Sequence, residues 1–158
     1  MSFQWPHWSL VAVLVLAPVA AAAFCEDPVT GVSGYHVPLE LETKGSVAIV
    51  LGKVIQERKI NDDPSDPESF LFTIYTVRLI KTLKGSVPEV FTLYSTNDSA
   101  RYSMTAGETH LLFIRAWRYK VPAADYRIDS CGNSSALPAG NTTIAKVTAE
   151  LRRGANAP

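Results

Sequence analysis

Few residues of this chain have the types and spacing that catalysis needs. Beyond the apolar amino-terminal stretch, the histidines are His36 and His110. His110 lies among alternating apolar residues, a position more typical of a buried or edge histidine than of a catalytic base. Ser130 lacks the Gly-x-Ser-x-Gly elbow that exposes a hydrolase nucleophile. We therefore predict no catalytic residue, and a small hydrolase is a disfavoured alternative.

Metal and cofactor chemistry is also poorly supported by the sequence. Two distant cysteines and two scattered histidines do not make a tetrahedral zinc set, and no glycine-rich phosphate loop occurs. Carboxylates that could bind a hard cation cluster in one loop, but without the spacing of a dedicated calcium loop. A solvated loop is the favoured interpretation, and no metal or cofactor is predicted. The four carboxylates are Asp62, Asp63, Asp66 and Glu68.

Cys25 and Cys131 are the only cysteines. In an oxidising compartment they can pair in one intramolecular way, whereas a cytosolic chain would keep them as thiols. Closing a loop of about 100 residues stabilises a fold by at most about 4.7 kcal/mol. We expect a structural disulfide, and a reactive or metal-binding thiol is the alternative.

The compartment is predicted from the amino terminus. Residues 1–23 carry no Lys, Arg, Asp or Glu, and their apolar run from Trp8 to Ala23 is shorter than a spanning helix needs. The small residues before Phe24 suit signal peptidase, so we expect cleavage there and a secreted, periplasmic or extracellular protein without stable membrane insertion. A start at Cys25 and an uncleaved anchor are the alternatives.

Composition limits the remaining function classes. The 158 residues include 15 basic and 15 acidic ones, so the net charge is zero. A balanced charge argues against a general nucleic-acid binder and against a polybasic membrane surface. The ordinary apolar content argues for one folded domain rather than a disordered chain.

Five β-strands are predicted from β-branched and alternating segments separated by turn residues. Gly52 inside the first strand suggests a bulge or a bend, and an irregular lead-in is expected over 24–39. Five strands at this spacing favour a closed or half-closed barrel. The strands are expected at 46–58, 70–83, 89–95, 109–117 and 126–131.

A carboxyl-terminal helix is predicted over 141–153. Ile144, Val147 and Leu151 form one apolar stripe, and Asn141 can cap the helix. We therefore divide the chain into a signal peptide (1–23), a barrel domain (24–140), this helix, and a frayed tail (154–158).

Three Asn-x-Ser/Thr sites fit the acceptor pattern for N-glycosylation. They bear sugar only in a host that glycosylates such sites; otherwise they indicate polar turns. The three asparagines are Asn97, Asn133 and Asn141.

The order of these features resembles the tissue inhibitors of metalloproteinases and the wider netrin-like group. The resemblance covers about residues 24–137 and rests on a cysteine just past the signal, VAIVLGKVIQ, LIKTLKGS, GETHLLFI and SCG at Ser130–Gly132. It implies a mainly β fold, a five-stranded OB-type barrel with flanking helices. It also implies a zinc chelate made by the amine and carbonyl of a first-residue cysteine, which Cys25 matches in position. Phe24 before it and Asp27 in place of a second cysteine depart from the family.

We therefore predict an exported, non-catalytic domain that binds another protein, and inhibition of a zinc metalloprotease is its sharper version. An envelope or extracellular structural domain without a protease target is the alternative. Nucleic acid is not an expected partner. The predicted contact residues are Phe24, Cys25, Glu26 and Asp27, with Asp62, Asp63, Asp66 and Glu68 in the acidic loop.

Overall fold

The structure is a computed structural model that describes residues 25–27, 29–31, 33–61, 63, 65–66, 69–97, 101–116 and 124–155. The described residues form two helices and six strands, with one helix before the strands and one after them. In order they are α1 (Leu39–Gly45), β1 (Ala48–Ile60), β2 (Phe72–Gly85), β3 (Val90–Thr96), β4 (Thr109–Ala116), β5 (Tyr126–Arg127), β6 (Ser135–Ala136) and α2 (Asn141–Ala155).

The predicted five-stranded barrel is confirmed. The strands follow the order β1-β2-β3-β5-β4, and β4 pairs with β1 to close the sheet. All neighbours are antiparallel except β3 and β5. The expected irregularity at Gly52 occurs as a register shift between Leu51 and Gly52, which bends β1 so that it can pair with both β2 and β4.

Two apolar clusters hold the fold together. The larger one fills the barrel and includes Val50, Val77 and Phe91. The smaller one lies between the outer face of the sheet and α2, where Val147 is fully buried against Ile49, Leu111 and Phe113. Ile144 and Leu151 pack beside Val147, so the predicted stripe of α2 is confirmed.

Several boundaries differ from the prediction. The predicted fifth strand 126–131 contains only Tyr126 and Arg127 in strand geometry, because the chain turns from Ser130 onward. The helix α2 extends through Gly154 to Ala155, so the prediction of a frayed tail is wrong for these two residues. The rest of the predicted tail, 156–158, lies outside the described residues. Neither β6 nor α1 was predicted.

The short helix α1 is held by a side chain from the sheet. Lys84 Nζ donates to the carbonyls of Thr43 (2.6 Å), Lys44 (3.0 Å) and Ser46 (2.8 Å). These oxygens lie at the carboxyl end of α1, where a positive charge is favourable. Lys84 therefore fixes α1 to the end of β2.

Candidate functional site

The predicted disulfide joins the amino-terminal segment to the turn after β5. Cys25 and Cys131 are bonded, with their Cα atoms 5.6 Å apart. The Cys25 carbonyl accepts hydrogen bonds from the amides of Gly34 (2.7 Å) and Tyr35 (3.1 Å). The chain thus leaves Cys25, turns, and returns to the same residue. We call residues 25–27, 29–31 and 33–35 the amino-terminal loop.

Asp27 orders the turn at the outer end of the amino-terminal loop. Its Oδ1 accepts hydrogen bonds from the amides of Val29 (2.7 Å) and Thr30 (3.1 Å). These two bonds lower the pKa of the Asp27 carboxyl. Gly31 follows at φ +70°, a conformation that favours glycine, and its amide donates to the Asp27 carbonyl. The side chain of Val29 is 90% exposed at this turn.

A buried carboxylate, Glu42, is hydrogen-bonded to a residue near the disulfide. Glu42 of α1 is fully buried, and its Oε2 accepts hydrogen bonds from the backbone amide (2.6 Å) and the side-chain Nδ2 (2.7 Å) of Asn133. The same Nδ2 donates to the Val37 carbonyl at 2.9 Å, and the Val37 amide donates to the Cys131 carbonyl. One network therefore connects α1, the segment that follows the loop and the disulfide turn.

Burial sets the electrostatics of this network. It raises the pKa of the Glu42 carboxyl, against the two Asn133 hydrogen bonds and the positive charge of Arg115. Glu42 Oε1 has no hydrogen-bond partner among the described residues. Gly132 lies so close that a Cβ there would overlap the carboxylate, 2.7 Å from its Cδ. The sequence prediction missed Glu42, because an isolated glutamate in a polar segment carries no signal of burial.

The structure describes two of the four carboxylates in the predicted acidic loop, Asp63 and Asp66. Asp63 Oδ1 accepts hydrogen bonds from the amide (2.8 Å) and the hydroxyl (2.6 Å) of Ser65, and these bonds lower its pKa. The amide of Asp66 donates to the Asp63 carbonyl at 3.2 Å. Asp62 and Glu68 lie outside the described residues, as does Phe24. Within the described ranges, no group of three His, Cys, Asp or Glu side chains is placed to hold a metal ion.

Of the two predicted positions for His110, buried or at an edge, the structure shows the buried one, since the residue is 2% exposed on β4. Its Nε2 lies 3.1 Å from Glu108 Oε2, and its Nδ1 lies 3.0 Å from the Tyr102 hydroxyl. The carboxylate can only accept, so we assign the ring proton to Nε2 and let Nδ1 accept from Tyr102. Burial lowers the pKa of His110 and raises that of Tyr102. Both groups therefore stay neutral, which favours a structural chain of hydrogen bonds.

The three possible glycosylation sites have different surroundings. The side-chain Nδ2 of Asn133 is occupied in the Glu42 network, and that of Asn97 donates to the Phe70 carbonyl at 2.8 Å. Asn141 is exposed at the first residue of α2. Asn141 is thus the site whose amide nitrogen is most accessible to a transferase.

A polar cavity of about 350 Å³ lies at the end of the barrel where β1 has passed its last β4 partner. Its wall includes inward-facing side chains of β1, β2 and β3 and the segment 101–104. This volume falls in the range of small-ligand sites, which often occupy the mouths of β-barrels. The sequence prediction missed the cavity, because its wall combines residues far apart along the chain.

No protein-family model matches the chain, and a search of the curated proteins finds no match. The resemblance to the tissue inhibitors of metalloproteinases therefore stays a prediction. Among the described helices, none is both long and apolar enough to cross a membrane. The disulfide is compatible with an extracellular or periplasmic location.

Proposed function

We propose that this chain is an exported, non-catalytic OB-type barrel domain that binds another protein through its amino-terminal loop. The observation that carries the proposal is the state of Val29: it is 90% exposed, yet its backbone is fixed by Asp27, and the disulfide anchors the loop to the barrel. An ordered contact residue loses little conformational entropy on binding. An apolar side chain held in this way suits a shallow apolar pocket on a partner.

The acidic loop is the second proposed contact. Asp63 is ionised at neutral pH, as an ordinary aspartate is, and its hydrogen bonds to Ser65 lower its pKa further. Asp66 lies next to it, and the sequence adds Asp62 and Glu68. Charges of one sign at the edge of an interface mainly accelerate association, and salt weakens the effect. We therefore expect a partner with a basic surface that faces this loop.

Two observations support a non-catalytic function. The Glu108–His110–Tyr102 chain holds a neutral histidine that is nearly inaccessible to solvent. Burial raises the pKa of Tyr102, which makes its hydroxyl a poor nucleophile at neutral pH. The carboxylate of Glu42 is likewise buried and bonded to Asn133. His110 and Glu42 therefore act as structural groups inside the fold.

Metalloprotease inhibition is the sharper version of the proposal, and the Cys25 carbonyl bears on it. A zinc chelate needs that oxygen and the amine of the same residue. The oxygen already accepts two hydrogen bonds, from Gly34 and Tyr35, which use both lone pairs of a carbonyl. In the form that starts at Phe24, the nitrogen of Cys25 is also in a peptide bond and is not a free amine. We therefore expect this form to inhibit zinc endopeptidases poorly, and strong zinc-directed inhibition by it would contradict this expectation.

Site-specific cross-linking tests the binding proposal. A photoreactive residue replaces Val29 in one variant and Val90 in a control, since Val90 is 46% exposed on β3, away from the loop. Both proteins are expressed in the native host and irradiated. We expect one defined protein adduct from position 29 and none from position 90. Equal adducts from both positions, or none from position 29, would instead support the structural-domain alternative.

A further inference from the structure

We propose that the cavity at the open end of the barrel is a binding site for a carboxylate group with a neighbouring hydrogen-bond donor. A free hydroxy acid and the carboxyl terminus of a peptide both present this chemistry. The proposal rests on the cavity alone and does not depend on the amino-terminal loop.

Strand register brings the walls of the cavity together. Lys59 of β1 pairs with Thr73 of β2, which pairs with Ser95 of β3. Directly paired residues point to the same face of a sheet, so these three side chains form one row. The three residues line the cavity.

The row breaks the apolar pattern of the barrel interior. Further along the same strands, Val54, Val77 and Phe91 form an equivalent row and are completely buried in the core. In the Lys59 row the apolar side chains are replaced by an ammonium group and two hydroxyls. Thr73 and Ser95 are nevertheless buried. The Ser95 hydroxyl accepts a hydrogen bond from the Tyr102 amide at 2.8 Å, and its own proton remains for donation to a polar ligand.

Between these two rows lies a third with mixed chemistry. Glu57 pairs with Tyr75, which is 4% exposed. The Tyr75 hydroxyl accepts a hydrogen bond from the Met104 amide at 3.3 Å, and its own proton remains for donation. The Glu57 carboxylate can accept from an N–H or O–H next to the bound acid. This pairing is why the ligand needs a donor beside its carboxylate.

Two cations supply the charge for an acid. Lys59 Nζ stands 4.7 Å from the centre of the Phe70 ring, at the wall of the cavity. Arg101 also lines the cavity, and its Nη1 donates to Asn97 Oδ1 at 2.6 Å. A guanidinium has five N–H donors, so this bond orients Arg101 and leaves donors for a carboxylate. Charge-assisted bonds of this kind are about twice as strong as neutral ones.

Binding of matched acids and amides tests the site. Lactate is compared with lactamide, and acetyl-trialanine acid with acetyl-trialanine amide, by following amide chemical shifts of the ¹⁵N-labelled protein. We expect saturable shifts at Tyr75, Ser95 and Met104 with the acids, and at least about tenfold weaker binding of the amides. Tighter binding of the peptide acid assigns the site to chain termini, and tighter binding of lactate assigns it to free acids. Either result supports the carboxylate site.

Variants locate the binding. Lys59→Gln and Arg101→Gln should each lower the affinity for the two acids by about fivefold to tenfold. Lys81→Gln removes an exposed charge from β2 outside the cavity wall and should leave the affinity unchanged. Equal binding of acid and amide, no saturable shift, or equal losses in all three variants would overturn the proposal. Cross-linking at Val29 reports separately on the protein-binding proposal.

Discussion

Gly132 and Glu42 show how one residue without a side chain permits another to be buried. A Cβ at Gly132 would overlap the Glu42 carboxylate, which cannot move away without breaking its two bonds to Asn133. We predict that Gly132→Ala destabilises the protein by about 1–3 kcal/mol, the usual cost of overpacking. Urea unfolding measures the change.

Gly154→Ala is the matched control, because nothing lies within 4 Å of a Cβ at that helical position. It should stabilise α2 slightly, by up to about 1 kcal/mol. If Gly132→Ala were as well tolerated as Gly154→Ala, the close approach to Glu42 would be wrong.

The raised pKa of Glu42 predicts a dependence of stability on pH. The folded protein holds this proton more tightly than the unfolded chain does. Glu42 therefore contributes stability below its unfolded pKa of about 4.3, and this contribution is lost as the pH rises through the folded value. Glu42→Gln cannot titrate. Relative to the wild type, its free energy of unfolding should increase between about pH 4 and pH 7. A difference that stays constant over this range would contradict the burial of a titrating carboxyl.

The same residue marks the limit of sequence prediction at this scale. Cys25 and Cys131 could be paired from the sequence, since two cysteines allow one intramolecular bridge. The burial of Glu42 depends on Asn133, which lies 91 residues later in the sequence. A contact between residues so far apart leaves no periodic pattern in either segment, so local reasoning could not find it.

At the scale of elements, the disulfide holds the amino-terminal loop against the turn that follows β5. We predict that Cys131→Ser lowers the free energy of unfolding by about 2–5 kcal/mol, as for native bridges in small secreted domains. It should also speed hydrogen exchange at the Gly34 and Tyr35 amides, which donate to the Cys25 carbonyl. Amides in the middle of β4 should exchange faster only to the extent that the free energy of global unfolding is lower. Unchanged exchange at Gly34 and Tyr35 would mean that the loop is ordered without the disulfide.

The strands were predictable because their β-branched residues alternate or run together, and four of the five occur within about two residues of their expected bounds. The helix α2 was predictable from its apolar stripe. The helix α1 was not, because its seven residues include buried Glu42 and Thr43 in place of an apolar face. The two-residue strand β6 is defined by pairing with β4 rather than by its own composition.

At the scale of the whole molecule, closure of β4 onto β1 produces a barrel that carries two separate candidate surfaces. The disulfide network places an apolar residue, Val29, in solvent. The open end of the barrel replaces core residues by Lys59, Thr73 and Ser95. A barrel alone does not define a function, so each surface requires its own test.

The most direct test of the protein-binding proposal is the affinity of the cross-linked partner for two matched variants. Val29→Asp places a charge at the exposed turn of the amino-terminal loop, and Val90→Asp places the same charge on β3. Isothermal titration calorimetry should show at least about tenfold weaker binding for Val29→Asp, or about 1.4 kcal/mol, and wild-type affinity for Val90→Asp. Wild-type affinity for Val29→Asp would contradict the account.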